Sequence, residues 1–439
     1  MTDERILRQL GMDELLRRVE QIRQIQLERL QMVLNRVCRN VSYYHDLFRS
    51  MQFLPQDMDT LEALAKLPLT ARATLVERQP YGMLAVPPHD VVRIHTALGP
   101  DGSPIVVAAT VNDIRHWTTL TARALCRVRV TRDDAVYIGL DYGQSMHAFG
   151  MHYGAEAIGA TVIPRSNIRL SDQLAVMKNY RASVLVCTPS HARQLIHFLV
   201  QSNYDAKSLF LRSVILVGEP CSESLRKSIH ERLFVNVYSA YGLDEIFSPG
   251  IAAETAEQEG LIVNEDHFLA EIVDPQQGTP LPEQQTGELV LTTLTKEALP
   301  LIRYRTGELG SLRRTVLQDG RNVLQLNVTG QRTDDLIAIA GAKFYPRQVE
   351  QVLSAAWPEA LRYNIRIISG AGADRVEVRM EVTERAFHGE MKTLTALKDR
   401  IESELYTKFA IPFHLRWMER DALRDEPVVD DQRRKESIE

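Results

Sequence analysis

The chain has 439 residues, more than one average domain needs, and length alone points to two or three domains. A hydrophobic fraction of 44%, a charged fraction of 25% and a net charge of -5 describe a globular protein with no electrostatic reason to bind nucleic acid. Its four cysteines lack Cys-x-x-Cys spacing, which excludes zinc-knuckle and thioredoxin motifs. No run approaches the roughly 18 apolar residues a membrane span needs. The start, Met1-Thr2-Asp3-Glu4-Arg5, carries no apolar signal core, so the expected location is the cytoplasm.

In chain order, Leu15, Val19, Ile22, Leu30, Val33 and Val37 recur at helical spacing and predict an amphipathic helix packed on the body. From about position 90, short apolar runs such as Val184-Leu185-Val186 and Val214-Ile215-Leu216-Val217 alternate with amphipathic stretches such as Ser224 to Leu233. That alternation predicts an α/β fold with a largely parallel sheet. Active sites in such sheets lie in loops beyond the strands' carboxyl ends. The Thr188-Pro189-Ser190 and Gly218-Glu219-Pro220 turns are therefore expected near one cleft. Between about 259 and 330 the pattern becomes β-rich, with a strand from Leu289 to Leu294. After Gly330 a smaller unit follows, with strands at Leu336 to Ile339, Tyr363 to Ile368 and Arg375 to Val382 and a helix from Pro346 to about Ala355. A boundary at 329 to 335 divides the chain into 1–329 and 330–439.

Several motifs follow one another in order: Leu67-Pro68-Leu69-Thr70, Tyr81-Gly82-Met83, His152-Tyr153-Gly154-Ala155-Glu156, Gly159-Ala160-Thr161-Val162-Ile163-Pro164 and Tyr241-Gly242-Leu243-Asp244-Glu245. After them come Gly287-Glu288-Leu289, the run from Thr292 to Pro300, and Arg303-Tyr304-Arg305-Thr306. From about residue 15 to 415 the chain thereby resembles the phenylacetate-CoA ligase branch of the adenylate-forming enzymes. The resemblance implies a large multi-sheet N-terminal domain and a small α+β C-terminal domain that swivels near Asp334. In that family ATP and an aryl acid first give an acyl-adenylate, and coenzyme A then attacks its carbonyl.

The departures from the family are concentrated. Its phosphate loop reads Ser-Ser-Gly-Thr-Thr-Gly-Lys-Pro, after a strand containing Arg-Ile-His. Here Arg93-Ile94-His95 leads into Thr96-Ala97-Leu98-Gly99-Pro100-Asp101-Gly102-Ser103-Pro104. A triphosphate needs N–H groups, hydroxyls and a cation aimed at its oxygens. Pro100 removes a donor, Asp101 adds a like charge, and Ser103 stands for the lysine. Glu308 replaces the family's ribose-binding aspartate. Val429 aligns with the adenylation lysine, and a register shift bringing in Lys435 is the alternative. All three changes concern ATP, so neither ATP nor Mg²⁺ is expected, and Glu245 is a metal ligand only if Mg-ATP binds.

By the resemblance, Tyr142, Ser145, His147, Gly218, Glu219, Pro220, Tyr241 and Gly242 border the acyl pocket. Gly341, Ala342, Lys343, Tyr345 and Pro346 meet the pantetheine arm of coenzyme A. Ser145 and His147 stand where a phenylalanine and a glycine are usual. They suit a ring bearing an amino or hydroxyl group, as in an aminobenzoate or hydroxybenzoate, or they merely fill a narrowed ATP entrance. His147 is the candidate general base. Cys221 is a candidate acyl holder, with a buried inert thiol as the alternative. The leading expectation is ATP-independent aryl transfer from an aryl-CoA thioester to another thiol, such as the phosphopantetheine of an acyl carrier protein. An ATP-dependent aryl-CoA ligase and a non-catalytic homologue are the alternatives.

Overall fold

The computed structural model describes residues 19–434 apart from 100–101, 144–145, 166–168, 319, 358–361, 371, 382–390, 420 and 425. Leu15, the pocket candidate Ser145, and Lys435 fall outside the described residues.

Helix α1 (Val19–Asn40) turns Ile22, Leu30, Val33, Leu34 and Val37 inward and is followed by α2 (Ser42–Ser50) and the short α3 (Arg72–Glu77). Strands β1 (Arg93–Leu98) and β2 (Pro104–Ala109) form a separate antiparallel hairpin. Helix α4 (Val111–Arg127) starts where Thr110 and Asp113 cap each other's backbone amides. The α/β alternation then runs through β3 (Ala135–Ile138), α5 (Met146–Ile158), β4 (Thr161–Pro164), α6 (Leu170–Asn179), β5 (Val184–Cys187), α7 (Pro189–Gln201), β6 (Ser213–Leu216), α8 (Glu223–Leu233) and β7 (Asn236–Tyr241). The β-rich part supplies β8 (Ala252–Ala253), β9 (Leu261–Val263), β10 (Phe268–Val273), β11 (Gly287–Thr293), β12 (Tyr304–Val316) and β13 (Asn322–Arg332).

These strands form one eleven-stranded sheet in the order β10-β11-β12-β13-β9-β8-β7-β6-β5-β3-β4, parallel from β7 to β4 and antiparallel elsewhere. Every residue of β5 and β6 is buried. Val184, Val186 and Ile215 feed the core shared with α4 and α5, whereas Leu185, Cys187, Val214 and Leu216 feed that of α6, α7 and α8. A strand covered on both faces loses its polar alternation, which is why these segments read as uninterrupted apolar runs.

Strand β13 carries the large sheet to Arg332, paired with Glu308, three residues past 329. Beyond it lie β14 (Ile337–Ile339), β15 (Ala342–Phe344), α9 (Pro346–Ala356), β16 (Tyr363–Ile368), β17 (Arg375–Glu381), α10 (Met391–Phe409), β18 (Phe413–Met418) and β19 (Val429–Asp431). Four of these strands form a sheet in the order β18-β17-β16-β19, with a hydrophobic core of its own. Phe344 sits in that core with no exposed surface, its ring centroid 5.1 Å from that of Phe409 and 5.3 Å from that of Phe413. Phe344→Ala is expected to cost about 3–5 kcal/mol, read as a lower denaturation midpoint; a loss under about 1 kcal/mol would show that the cluster contributes little.

Candidate active site

The β1–β2 turn is where the sequence loses its phosphate-binding groups, and its backbone is committed as well. The Gly99 N–H donates to the Ser103 carbonyl at 2.8 Å, and the Gly102 N–H donates to the Gly99 carbonyl at 2.9 Å. Gly102 has φ +84°, and a Cβ there would collide with the Gln348 side chain of α9. Both the backbone and the small unit seated on the turn therefore require glycine. Gln348 is held in turn by α9's own cap, its Oε1 accepting from the Tyr345 N–H at 2.9 Å.

Arg72 ties this turn to the rest of the site. Its Nη1 donates to the Leu98 carbonyl at 3.0 Å and to the Tyr345 hydroxyl at 3.3 Å, and its Nη2 pairs with Glu245 Oε1 at 2.6 Å. Glu245 also accepts from the Tyr304 hydroxyl at 3.1 Å, and its carbonyl accepts from Lys296 Nζ at 2.6 Å. Glu308 accepts from Arg332 Nη1 at 2.7 Å. Asp334 accepts from the same guanidinium and from the Tyr345 hydroxyl at 3.4 Å. Val429 lies in β19 opposite Ile365 and packs on the small core. Among the described residues, those at the ATP-linked positions thus fit a triphosphate poorly: the Gly99 and Gly102 amides are bonded within the turn, and the Arg72 guanidinium is already paired.

The surroundings of His147 are assembled differently. Helix α5 buries His147 near its start, with Nε2 2.7 Å from Ser248 Oγ and Nδ1 3.6 Å from Asp244 Oδ1. Asp244 Oδ2 accepts from Lys343 Nζ on β15, so the small unit reaches into this cluster. Burial pushes His147 down to about 4; Asp244 opposes that shift and Lys343 adds to it. Burial pushes the Asp244 carboxyl up, but Lys343 and His147 hold it below the usual carboxylate range. Gly218, at φ +82° just beyond β6, borders the imidazole, since a Cβ there would lie 3.6 Å from the ring.

The two turns expected near one cleft are bonded together. Glu219 accepts from the Ser190 N–H at 3.0 Å, from Ser190 Oγ at 2.8 Å and from the Gly341 N–H at 2.6 Å. Pro220 abuts Gly330, and Gly242 packs against Ser248 and Pro249. Tyr241, half-buried at the end of β7, has its hydroxyl pushed well up by burial beside Glu308. The Tyr142 hydroxyl lies 2.9 Å from His152 Nδ1, and His152 Nε2 lies 3.0 Å from Glu156 Oε1. Cys221 donates to the Ser222 carbonyl at 3.4 Å, and burial pushes its thiol up to about 12. A thiol so protonated at neutral pH is a poor nucleophile. In the small unit, Ala342 and Lys343 lie in β15, buried Tyr345 caps α9 and Pro346 opens it.

Sequence reasoning missed Arg72, Ser248 and Gln348. Ser248 lies only four residues past Asp244 of a quoted motif, but nothing in the local pattern marks it. Arg72 directly follows Leu67-Pro68-Leu69-Thr70, and that adjacency was the available signal.

The fold and this site define an adenylate-forming enzyme. The family described as AMP-binding enzyme matches residues 86–294, and the AMP-binding enzyme C-terminal domain matches residues 341–430. Within that class the chain belongs to the phenylacetate-CoA ligase branch. It is 38% identical to the phenylacetate-coenzyme A ligase of Pseudomonas putida, over 84% of each chain. It is 35% identical to that of Escherichia coli, over 83% of this chain and 84% of the other. Its fold is similar to 2-hydroxyisobutyryl-CoA ligase in the thioesterification state, with TM-score 0.87 at 20% identity, covering 94% of this chain and 90% of that one. Against the same ligase in the postadenylation state the score is 0.68, covering 93% and 89%. These relatives support an enzyme of the acid–thiol ligase kind. They give no support to the expectation that ATP and Mg²⁺ are unused, nor to a carrier-protein partner. Among the described residues no helix is long and apolar enough to cross a membrane.

Burial holds His147, His191 and His267 each at about 4. As pH falls below the ordinary histidine value of 6.5, the unfolded chain takes up protons before the folded one, so folding stability falls between about 6.5 and 4. Thermal midpoints measured across that window should decline steadily; a flat profile would contradict the burial of neutral imidazoles.

Proposed function

We propose that this chain moves an aryl group between thiols without ATP. It takes an aryl-CoA thioester and passes the acyl group to a second pantetheine-type thiol, such as that of an acyl carrier protein. The observation that carries this reading is the β1–β2 turn, whose two glycine amides bond within the turn while Gln348 is seated on Gly102. The valine aligned with the adenylation lysine points the same way, since it serves as packing in β19. Exchange of one thioester for another is close to thermoneutral and needs no nucleotide. It needs a ring pocket, a passage for pantetheine, donors for the developing oxyanion and a proton acceptor.

The chain's own residues meet these needs as follows. The ring lies beside Gly218, Tyr241 and Gly242 next to His147, with Tyr142 on the outer side of the pocket. The unit 330–439 pivots near Asp334 and closes on the site. Its Gly341 to Pro346 loop borders the pantetheine arm, while Glu219 and Lys343 hold it shut. His147, neutral at physiological pH, is the proton acceptor.

A second reading, ATP-dependent aryl-CoA ligation, is favoured by the comparisons more directly than transfer is. The phenylacetate-coenzyme A ligases named above, and those of Thermus thermophilus and Aromatoleum evansii, are 34–38% identical to this chain. One assay separates the two. The purified chain is incubated with a panel of benzoyl- and aminobenzoyl-CoA thioesters and a phosphopantetheinylated carrier protein, with and without Mg-ATP, and pyrophosphate exchange is measured with the free acids. Transfer should proceed equally in both conditions, with no exchange. Acid-dependent exchange, with thioester formation only when ATP is present, would establish ligation instead, and inactivity in every arm would leave a non-catalytic homologue.

A further inference from the structure

We propose that Ser248 is the acyl-accepting nucleophile of this site, with His147 as its base and the Asp244 carboxylate beside the imidazole to stabilise its charged form. This rests on the transfer reading and adds a covalent intermediate to it. Three side chains that sequence order does not group are brought together: Ser248 Oγ lies 2.7 Å from His147 Nε2, within hydrogen-bond reach, and the Asp244 carboxylate lies beside the ring, its Oδ1 3.6 Å from His147 Nδ1 and without a hydrogen bond of its own. The serine–imidazole pair is that of a nucleophile and its base, with a carboxylate placed to draw up to the imidazolium as it forms. The array is also pinned at both ends. Trp117 Nε1 donates to the Ser248 carbonyl at 2.8 Å, fixing the serine backbone, and Lys343 holds the far oxygen of Asp244. Gly218 leaves one side of the imidazole covered only by backbone, and Gly242 packs directly on Ser248, so glycines flank the array on two sides. Ser248 and His147 are sealed from solvent in the closed arrangement, which shields an acyl ester from hydrolysis. Withdrawal of the Gly341 to Pro346 loop with the small unit uncovers Asp244 and admits the acyl group.

The chemistry balances without a further reagent. Ser248 Oγ attacks the thioester carbonyl and gives its proton to His147 Nε2. The C–S bond breaks, and the departing coenzyme A sulfur takes that proton from the imidazolium. The second pantetheine thiol then gives its proton to His147 and attacks the ester carbonyl, and the C–O bond breaks as Ser248 Oγ recovers the proton. Donor and acceptor thus use the single entrance beside the Gly341 to Pro346 loop in turn. Cys221, whose thiol points to the Ser222 carbonyl, takes no part.

The full-length chain is incubated with benzoyl-CoA alone, without ATP, acid-quenched and examined by intact mass and peptide mapping. One aroyl group should appear on the peptide bearing Ser248, vanish in Ser248→Ala and persist in Cys221→Ala. Ser248→Cys should carry a thioester that neutral hydroxylamine releases far faster than the native ester, which reports the position even if the alanine variant folds poorly. His147→Ala should slow acylation by about 10²-fold or more. An adduct retained in Ser248→Ala, lost in Cys221→Ala, or absent from a wild-type enzyme that transfers with ternary-complex kinetics would overturn the assignment while leaving transfer standing. Thioester formation that appears only with Mg-ATP and free acid would remove the transfer reading itself.

Discussion

A partly buried carboxylate must find its compensation nearby, and Asp244 finds its ion-pair partner in the small unit. Lys343 supplies the cation from β15, while the neutral His147 imidazole of the large unit lies beside the same carboxylate, so the pair forms only when the two units are together. Much of the site follows from that one constraint. Lys343 brings β15 with it, and β15 brings the Gly341 amide to Glu219. The same docking seats α9 so that Gln348 meets Gly102 and Tyr345 meets Arg72. An ion pair that would contribute little on a surface contributes more here, because removing one partner strands the other in a medium that solvates it poorly.

The two halves of the family's chemistry are therefore unequal in this chain. Groups at and beside the positions that the resemblance links to ATP bond within the protein: two glycine amides inside a turn, the Arg72 guanidinium on Glu245 and the Glu308 carboxylate on Arg332. Groups around His147 converge across elements far apart in sequence. Arg303-Tyr304-Arg305-Thr306, which helps carry the family resemblance, is largely structural. Arg303 binds Glu271 and the Leu67 carbonyl, Arg305 binds Glu288, and Thr306 Oγ1 donates to the Leu289 carbonyl. Such a motif identifies the fold more securely than it identifies the reaction.

The fold was legible wherever one period dominated. The doubly buried β5 and β6, the stripe of α1 and the helix of α8 all announce themselves by spacing. The neighbourhood of the Thr188 and Gly218 turns followed from the sheet rule, because both turns leave the carboxyl ends of adjacent strands. The site was legible only in part. His147 stood out as a substitution against the family pattern, but its partners did not. Ser248 reaches it across 101 positions, and Lys343 reaches Asp244 across 99, through contacts that no local pattern encodes. Cys221 drew attention as a thiol beside a motif, yet its surroundings hold the proton on the sulfur.

Strand β19 shows how packing constrains a single position. In register with β16, Val429 is partly buried and packs against the small unit's core. A lysine at that position would give up those apolar contacts, and the Gly99 and Gly102 amides would stay bonded within their own turn. Packing and chemistry thus compete for the same side chain: a position held by apolar contacts can take on a charged role only at a cost in stability.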